Sequence, residues 1–142
     1  MKGNEEVVKS LNTVLSMELA AILQYLHHHW TGEGMESQTI LPLFKKISMD
    51  EMKHAGLIAE RINFLEGDPT ITPSTIRKYG DLIKMMQDDL AGEYEAIGYY
   101  KKVIRLCAEV GDSTSRLMME EILSDEEGHA DIWETTLSEH KR

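Results

Sequence analysis

DEMKHA at Asp50–Ala55 and DEEGHA at Asp125–Ala130 set down one frame, Asp-Glu-x-x-His-Ala, twice in a single chain, 75 residues apart. Each copy lies inside an apolar run with helical spacing. The first run reads Phe44, Ile47, Glu51, His54, Ile58, Ile62, Leu65; the second reads Met119, Ile122, Glu126, His129, Trp133, Leu137. On an α-helix a Glu and a His three residues apart share a face. Here that face is the apolar one, so both donors of each motif are predicted to point into the interior of a helical bundle.

The repeat extends beyond the hexapeptides. Glu18 precedes Glu51 by 33 residues and Glu93 precedes Glu126 by the same 33, while Tyr25 and Tyr100 each follow their isolated Glu by seven. The stripes containing them, Val7, Leu11, Val14, Glu18, Ile22, Tyr25 and Leu82, Met86, Leu90, Glu93, Ile97, Tyr100, Ile104, Cys107, again have helical spacing interrupted by acids. Turn formers cluster at Gly32 and Gly34, in GDPTITPSTIRKYG from Gly67 to Gly80, and at Gly111, Asp112, Ser113. They cut the chain into four helices expected near 4–31, 36–66, 81–110 and 114–139 of one all-α domain spanning residues 1–142. Two helical hairpins related by an offset of 75 imply a pseudo-twofold axis between equivalent sets of donors. Of the run His27, His28, His29, only His29 is expected to continue the inward stripe, because consecutive helical residues diverge by about 100° and cannot share one ligand.

Charge decides what the donors are for. Four carboxylates in an apolar interior each cost several kcal/mol in desolvation and repel one another, and the stripes offer no Lys or Arg. Two divalent cations balance four Glu, with two neutral imidazoles completing the shells. Carboxylate and imidazole donors without thiolate suit iron or manganese, held about 3.5–4 Å apart in two-metal sites. Composition agrees. The 142 residues carry 15 Lys and Arg against 25 Asp and Glu, a net charge of −10, which disfavours nucleic acid and anionic membrane surfaces and favours cations. The basic end, His140, Lys141, Arg142, is too short to act as a nucleic-acid arm. One cysteine, Cys107, excludes internal disulfides, thiolate zinc sites and iron–sulfur clusters. With no secretory signal and no apolar run long enough for a membrane span, the reading is a cytoplasmic protein.

Glu18, DEMKHA, DLAGE ending at Glu93, and DEEGHA, together with MKGNEEVVKSLN and RINFLEG, resemble the ferritin superfamily and within it the bacterioferritins, over nearly the whole chain. The resemblance implies an up-down-down-up four-helix bundle with a long crossover between helices two and three; the segment from Gly67 to Gly80 can span about 45 Å when extended, the length of such a helix. It implies a ferroxidase centre of Glu18, Glu51, His54, Glu93, Glu126 and His129, with Glu51 and Glu126 bridging two iron ions. The implied reaction is oxidation of Fe(II) by dioxygen or hydrogen peroxide, feeding a mineral store within a homo-oligomeric shell, built from dimers and reaching 24 subunits. Tyr25 resembles the family's tyrosine beside the diiron centre, an electron donor; as a residue it reads equally well as a core aromatic. Met52 points about 100° away from Glu51. It reads plainly as a gap filler, whereas the resemblance makes it an axial ligand of haem b shared between two chains. Asp50 could guide cations, or be an exposed acid next to Lys53.

The chain also departs from the family pattern. With 13 residues after His129, the short fifth helix that lines the fourfold axes of the family's shells is expected to be absent. Lys46 stands where many members have a histidine, and Trp133 follows His129 by four residues where three are expected. Two other readings remain: a cage-free diiron oxidase or peroxidase resembling the rubrerythrins, and a non-enzymatic haem-bridged dimer. A small dimer without a mineral core separates the first, and haem without iron oxidation the second. A DNA-protecting miniferritin fits less well, since those proteins place iron between subunits.

Overall fold

In the computed structural model, which describes residues 1–138, four helices account for most of the described residues: α1 (Glu5–Thr31), α2 (Ser37–Phe64), α3 (Leu82–Val110) and α4 (Ser113–Thr136). There is no strand among the described residues. The expected end of the fourth helix at residue 139, and the basic end His140, Lys141, Arg142, lie outside the described residues.

Local chemistry sets the helix ends. The Asn4 side chain accepts from the backbone N–H of Glu6 (2.9 Å) and Val7 (3.1 Å) at the start of α1. Asp81 accepts from Lys84 N–H (2.9 Å) at the start of α3, and Asp112 from Ser115 N–H (3.0 Å) at the start of α4. These bonds satisfy amides that have no partner within the helix. α3 stops at Gly111, whose φ of 79° is the left-handed conformation that terminates helices and that glycine adopts without strain.

The contacts of the crossover fix the topology. Leu65 C=O accepts from Gly3 N–H near the start of α1 (3.0 Å), Thr72 C=O from the Ser16 hydroxyl (2.8 Å), and the Arg77 N–H donates to Gln24 Oε1 (2.8 Å). The segment therefore climbs along α1 from bottom to top. It delivers the chain to α3, which runs back down α1, with Gln24 facing Asp89 and Glu18 facing Tyr100. α1 packs along α2 and α3 along α4, so the order is up, down, down, up.

The interior is layered. One apolar cluster contains Val7, Leu11, Val14, Ile58, Ile62, Val103, Cys107 and Met119. The other contains Tyr25, Phe44, Ile47, Leu82, Met86, Trp133 and Leu137. Buried acids and histidines separate them. The stripes of α2 and α4 are buried at every expected position. Those of α1 and α3 need correction: Ile22, Ile97 and Ile104 are only partly buried, and Ala96 and Val103 take the inner positions on α3. His28, fully buried, replaces His29 as the inward histidine. His29 is partly buried and its Nδ1 lies 2.7 Å from the Leu41 carbonyl oxygen.

Asp112 ties α2 to α4: its carboxylate accepts from Ser115 N–H (3.0 Å), Ser115 Oγ (2.7 Å) and Arg61 Nη2 (2.8 Å). Asp112→Ala is expected to lower stability by about 2 kcal/mol, from the lost cap and a partly buried charged hydrogen bond. Urea denaturation of the metal-free protein checks this, with Ser113→Ala, an exposed neighbour, expected to change little.

Candidate metal centre

Six residues converge between the two apolar clusters. Glu18, Glu51, His54, Glu93, Glu126 and His129 are all 5% exposed or less. They form two overlapping quartets, Glu18, Glu51, His54, Glu126 and Glu51, Glu93, Glu126, His129, in each of which one donor atom per residue lies within 4.8 Å of the others. Glu51 and Glu126 belong to both quartets, as carboxylates that bridge two cations must.

Each of the six also holds a buried donor atom with no hydrogen-bond partner: Glu18 Oε2, Glu51 Oε1, His54 Nδ1, Glu93 Oε2, Glu126 Oε1 and His129 Nδ1. His54 Nδ1 approaches Glu126 Oε1 to 3.0 Å and Glu51 Oε1 to 3.3 Å, and His129 Nδ1 approaches Glu51 Oε1 to 3.4 Å. These pairs interact as charges but are not aligned as hydrogen bonds. Orphaned buried polar atoms cost free energy that folded chains avoid, and six of them aimed at one small space fit a cation pair.

The other nitrogen of each histidine is held by the opposite motif. His54 Nε2 lies 2.8 Å from Asp125 Oδ2, and His129 Nε2 lies 3.0 Å from Asp50 Oδ2. This explains the first letter of the repeated frame: the Asp of one copy orients the His of the other, leaving Nδ1 facing inward. A carboxylate that fixes the orientation and basicity of a ligating imidazole is a recurrent feature of metal sites. The plain reading of Asp50 as an acid beside Lys53 is thus corrected. Its carboxylate is half-exposed but committed to His129. Helical spacing alone assigns neither Asp this role; its signal in the sequence is the presence of an Asp at the equivalent position of both copies.

The tyrosines obey the same symmetry. Tyr25 OH donates to Glu93 Oε1 (2.9 Å) and Tyr100 OH donates to Glu18 Oε1 (2.5 Å), each across the bundle to the other hairpin. Trp133, four residues after His129, is fully buried and donates from Nε1 to Tyr25 OH (2.8 Å). This third partner breaks the symmetry between Tyr25 and Tyr100. Burial first, and then the nearby carboxylates, push both phenol pKa values well above normal, so both remain protonated donors at neutral pH.

Electrostatics reflect crowding. Burial, then repulsion from Glu18 and the other carboxylates, raises the pKa of Glu51 and Glu126. Burial alone would lower that of His54, but contacts with Glu126 and Glu18 overcome it and push it up to about 11. His129 is raised likewise: burial opposes the shift, and Glu93 and Asp50 overcome it. Protons and divalent cations therefore compete for the same atoms. Lowering the pH increases the protonated fraction and weakens cation binding; raising it does the reverse.

Met52 is 44% exposed on the outer face of α2, away from the cluster. One turn on, Gly56 has open space where a side chain would be. Near it, Leu19, Ala55, Ala59 and Ile71 help line a surface groove of about 350 Å³. Lys46 is exposed on α2. No described helix is long and apolar enough to cross a membrane.

Comparison with known proteins places this geometry. The ferritin-like domain family model matches residues 8–142. Bacterioferritin of Rhodobacter capsulatus is 38% identical over all of this chain and 89% of its own length. That of Brucella melitensis is 36% identical over 96% of this chain and 86% of its own, and that of Mycobacterium leprae 37% identical over 97% and 87%. The 2.6 Å structure of the Rhodobacter capsulatus protein, described with a metal-free dinuclear site and a haem iron in a crystallographic special position, superimposes with a TM-score of 0.91, at 36% identity, covering all of this chain and 89% of that one. The chain belongs to the bacterioferritin branch of the ferritin-like family, whose members store iron.

Proposed function

We propose that this protein is a cytoplasmic ferroxidase that takes up Fe(II) as substrate and passes the oxidised iron to a mineral store within a homo-oligomeric shell. The carrying observation is the pair of quartets sharing Glu51 and Glu126, each residue with one unsatisfied buried donor atom. Glu18 and His54 would hold one iron, Glu93 and His129 the other, and Glu51 and Glu126 both. Four carboxylates against two Fe(II) leave the site neutral, which removes the desolvation cost of burying them. Oxidation then withdraws one electron from each iron. Dioxygen takes both with two protons to give hydrogen peroxide, or hydrogen peroxide takes both with two protons to give two waters.

The remaining residues hold geometry. Asp50 and Asp125 keep each imidazole turned inward, while Tyr25 and Tyr100 orient Glu93 and Glu18. Tyr25, joined to both Glu93 and Trp133, is the better placed of the two to donate an electron to the centre. Asp50 (45% exposed side chain) and Asp125 (61%) place carboxylates between solvent and the histidines, a feature that favours cation approach across the α2–α4 face.

Anaerobic metal-free protein is expected to bind two Fe(II) per chain and, on mixing with oxygen, to oxidise them in a fast phase seen by stopped-flow absorbance. In Glu18→Ala that fast phase is lost while the helix content is kept. Stoichiometry of one, or an unaltered fast phase in the variant, contradicts the assignment.

Met52 supports a second component. Its soft thioether is exposed one turn from an open glycine that lines a mostly apolar groove, and Met52 of this chain and Met52 of a second chain would hold a haem b between them. Haem supplies one-electron transfer when bound, and the methionine pair would set its potential. Haem titration is expected to saturate at one per two chains, with Met52→Leu losing the Soret shift; retention of the shift refutes the assignment.

A further inference from the structure

A cavity of about 70 Å³ lies under the crossover. Its inner wall includes Glu51, Glu93, Glu126, Tyr25 and Tyr100, and its outer wall includes Ser74, Thr75 and Arg77 of the crossover and Glu95 of α3. It therefore reaches the metal centre from the α1–α3 face, opposite the face where Asp50 and Asp125 meet the histidines. The roof is fixed in place: Arg77 N–H donates to Gln24 Oε1 (2.8 Å), the Arg77 carbonyl oxygen is 3.2 Å from His28 Nε2, and Arg77 Nη2 donates to Glu95 Oε1 (2.5 Å).

The lining discriminates by charge. A hydrated Fe(II) passing through must shed water and replace it with ligands. Outside the centre, the carboxylates here are already engaged: both oxygens of buried Asp89 are taken, Oδ1 by Gln24 Nε2 (2.8 Å) and Oδ2 by His28 Nδ1 (2.9 Å), and Glu95 is paired with the cationic Arg77, whereas Asp50 and Asp125 are held through Oδ2 alone and stay about half exposed to solvent. An uncharged molecule loses far less on leaving water. The size fits a small one, since a water occupies about 30 Å³ in the liquid.

Gly92 is the second observation. It lies in mid-α3, where glycine is a poor helix former, and its φ is not positive. A Cβ built on it meets nothing closer than Arg77 Nη1 at 3.9 Å. No backbone strain or close approach demands glycine here. What its missing side chain provides is space in this cavity, which Gly92 lines.

We propose that this cavity is a site and route for the uncharged oxygen species that oxidises the iron, dioxygen or hydrogen peroxide, separate from the cation route across the α2–α4 face, with Gly92 keeping it open and Arg77 narrowing its mouth. The proposal rests on the ferroxidase reading. Xenon-pressurised crystals of the metal-free protein test it without turnover. An anomalous xenon peak is expected in the native cavity and none in Gly92→Leu, and an empty native cavity overturns the proposal.

In solution, anaerobic Co(II) uptake is expected at two per chain and unchanged rate in Gly92→Leu, while the oxidant concentration giving half-maximal iron oxidation rises several-fold. Arg77→Ala, which keeps the backbone bonds, is expected to lower it. Separate titrations with dioxygen and with hydrogen peroxide identify which species uses the route. Equal slowing of Co(II) uptake and oxidation in Gly92→Leu would make this a cation path, and unchanged dependence on both oxidants would remove the route; either result overturns the proposal. A native chain that binds two Co(II) but oxidises no iron would defeat the ferroxidase reading instead, with the xenon result still reporting on the cavity.

Discussion

Four carboxylates held within a few ångströms of one another in a dry interior are the constraint around which this fold is arranged. Their repulsion and desolvation oppose folding, so the apolar clusters above and below must hold the layer in place, and positive charge must enter it. Protons do this poorly: burial and mutual repulsion raise the pKa of Glu51 and Glu126, and contacts with Glu126 and Glu18 raise that of His54, so all three hold protons more readily, yet six donor atoms still lack hydrogen bonds. A pair of divalent cations satisfies both the charge and the orphaned atoms.

The duplicated hairpin supports this layer by exchange between its halves. Asp50 orients His129 and Asp125 orients His54, and Tyr25 and Tyr100 reach Glu93 and Glu18 across the axis. Neither hairpin can build its half of the site alone. Trp133 and the crossover, which exist once, break the symmetry: the first by joining Tyr25, the second by roofing one face of the centre and leaving the other to Asp50 and Asp125. A pseudo-symmetric pair of metals thus acquires two unlike surroundings.

Much of this was legible in the sequence because helical period and charge are local. The four helices, the convergence of the six donors and the bundle topology follow from stripes, turn clusters and a resemblance carried by specific motifs. Phase drift explains the errors: a stripe written at intervals of three and four slides around a 3.6-residue helix, so Ile97 and Ile104 drift outward while Ala96 and Val103 turn in, and His28 rather than His29 arrives at the core. The oriented partners were invisible for another reason. Asp50 and His129 are 79 residues apart and His28 and Asp89 are 61 apart, and no single-helix pattern records a side-chain bond between helices. Gly92 gave no signal at all, because a missing side chain has meaning only beside the cavity it leaves.

The account turns on whether two cations sit where the six unsatisfied atoms point. Anomalous diffraction from crystals loaded anaerobically with Fe(II), recorded on both sides of the iron edge, measures this directly. Two peaks about 3.5–4 Å apart, spanned by Glu51 and Glu126 and each capped by one histidine, are the expected result. One peak, or none with the carboxylates still gathered, would contradict it.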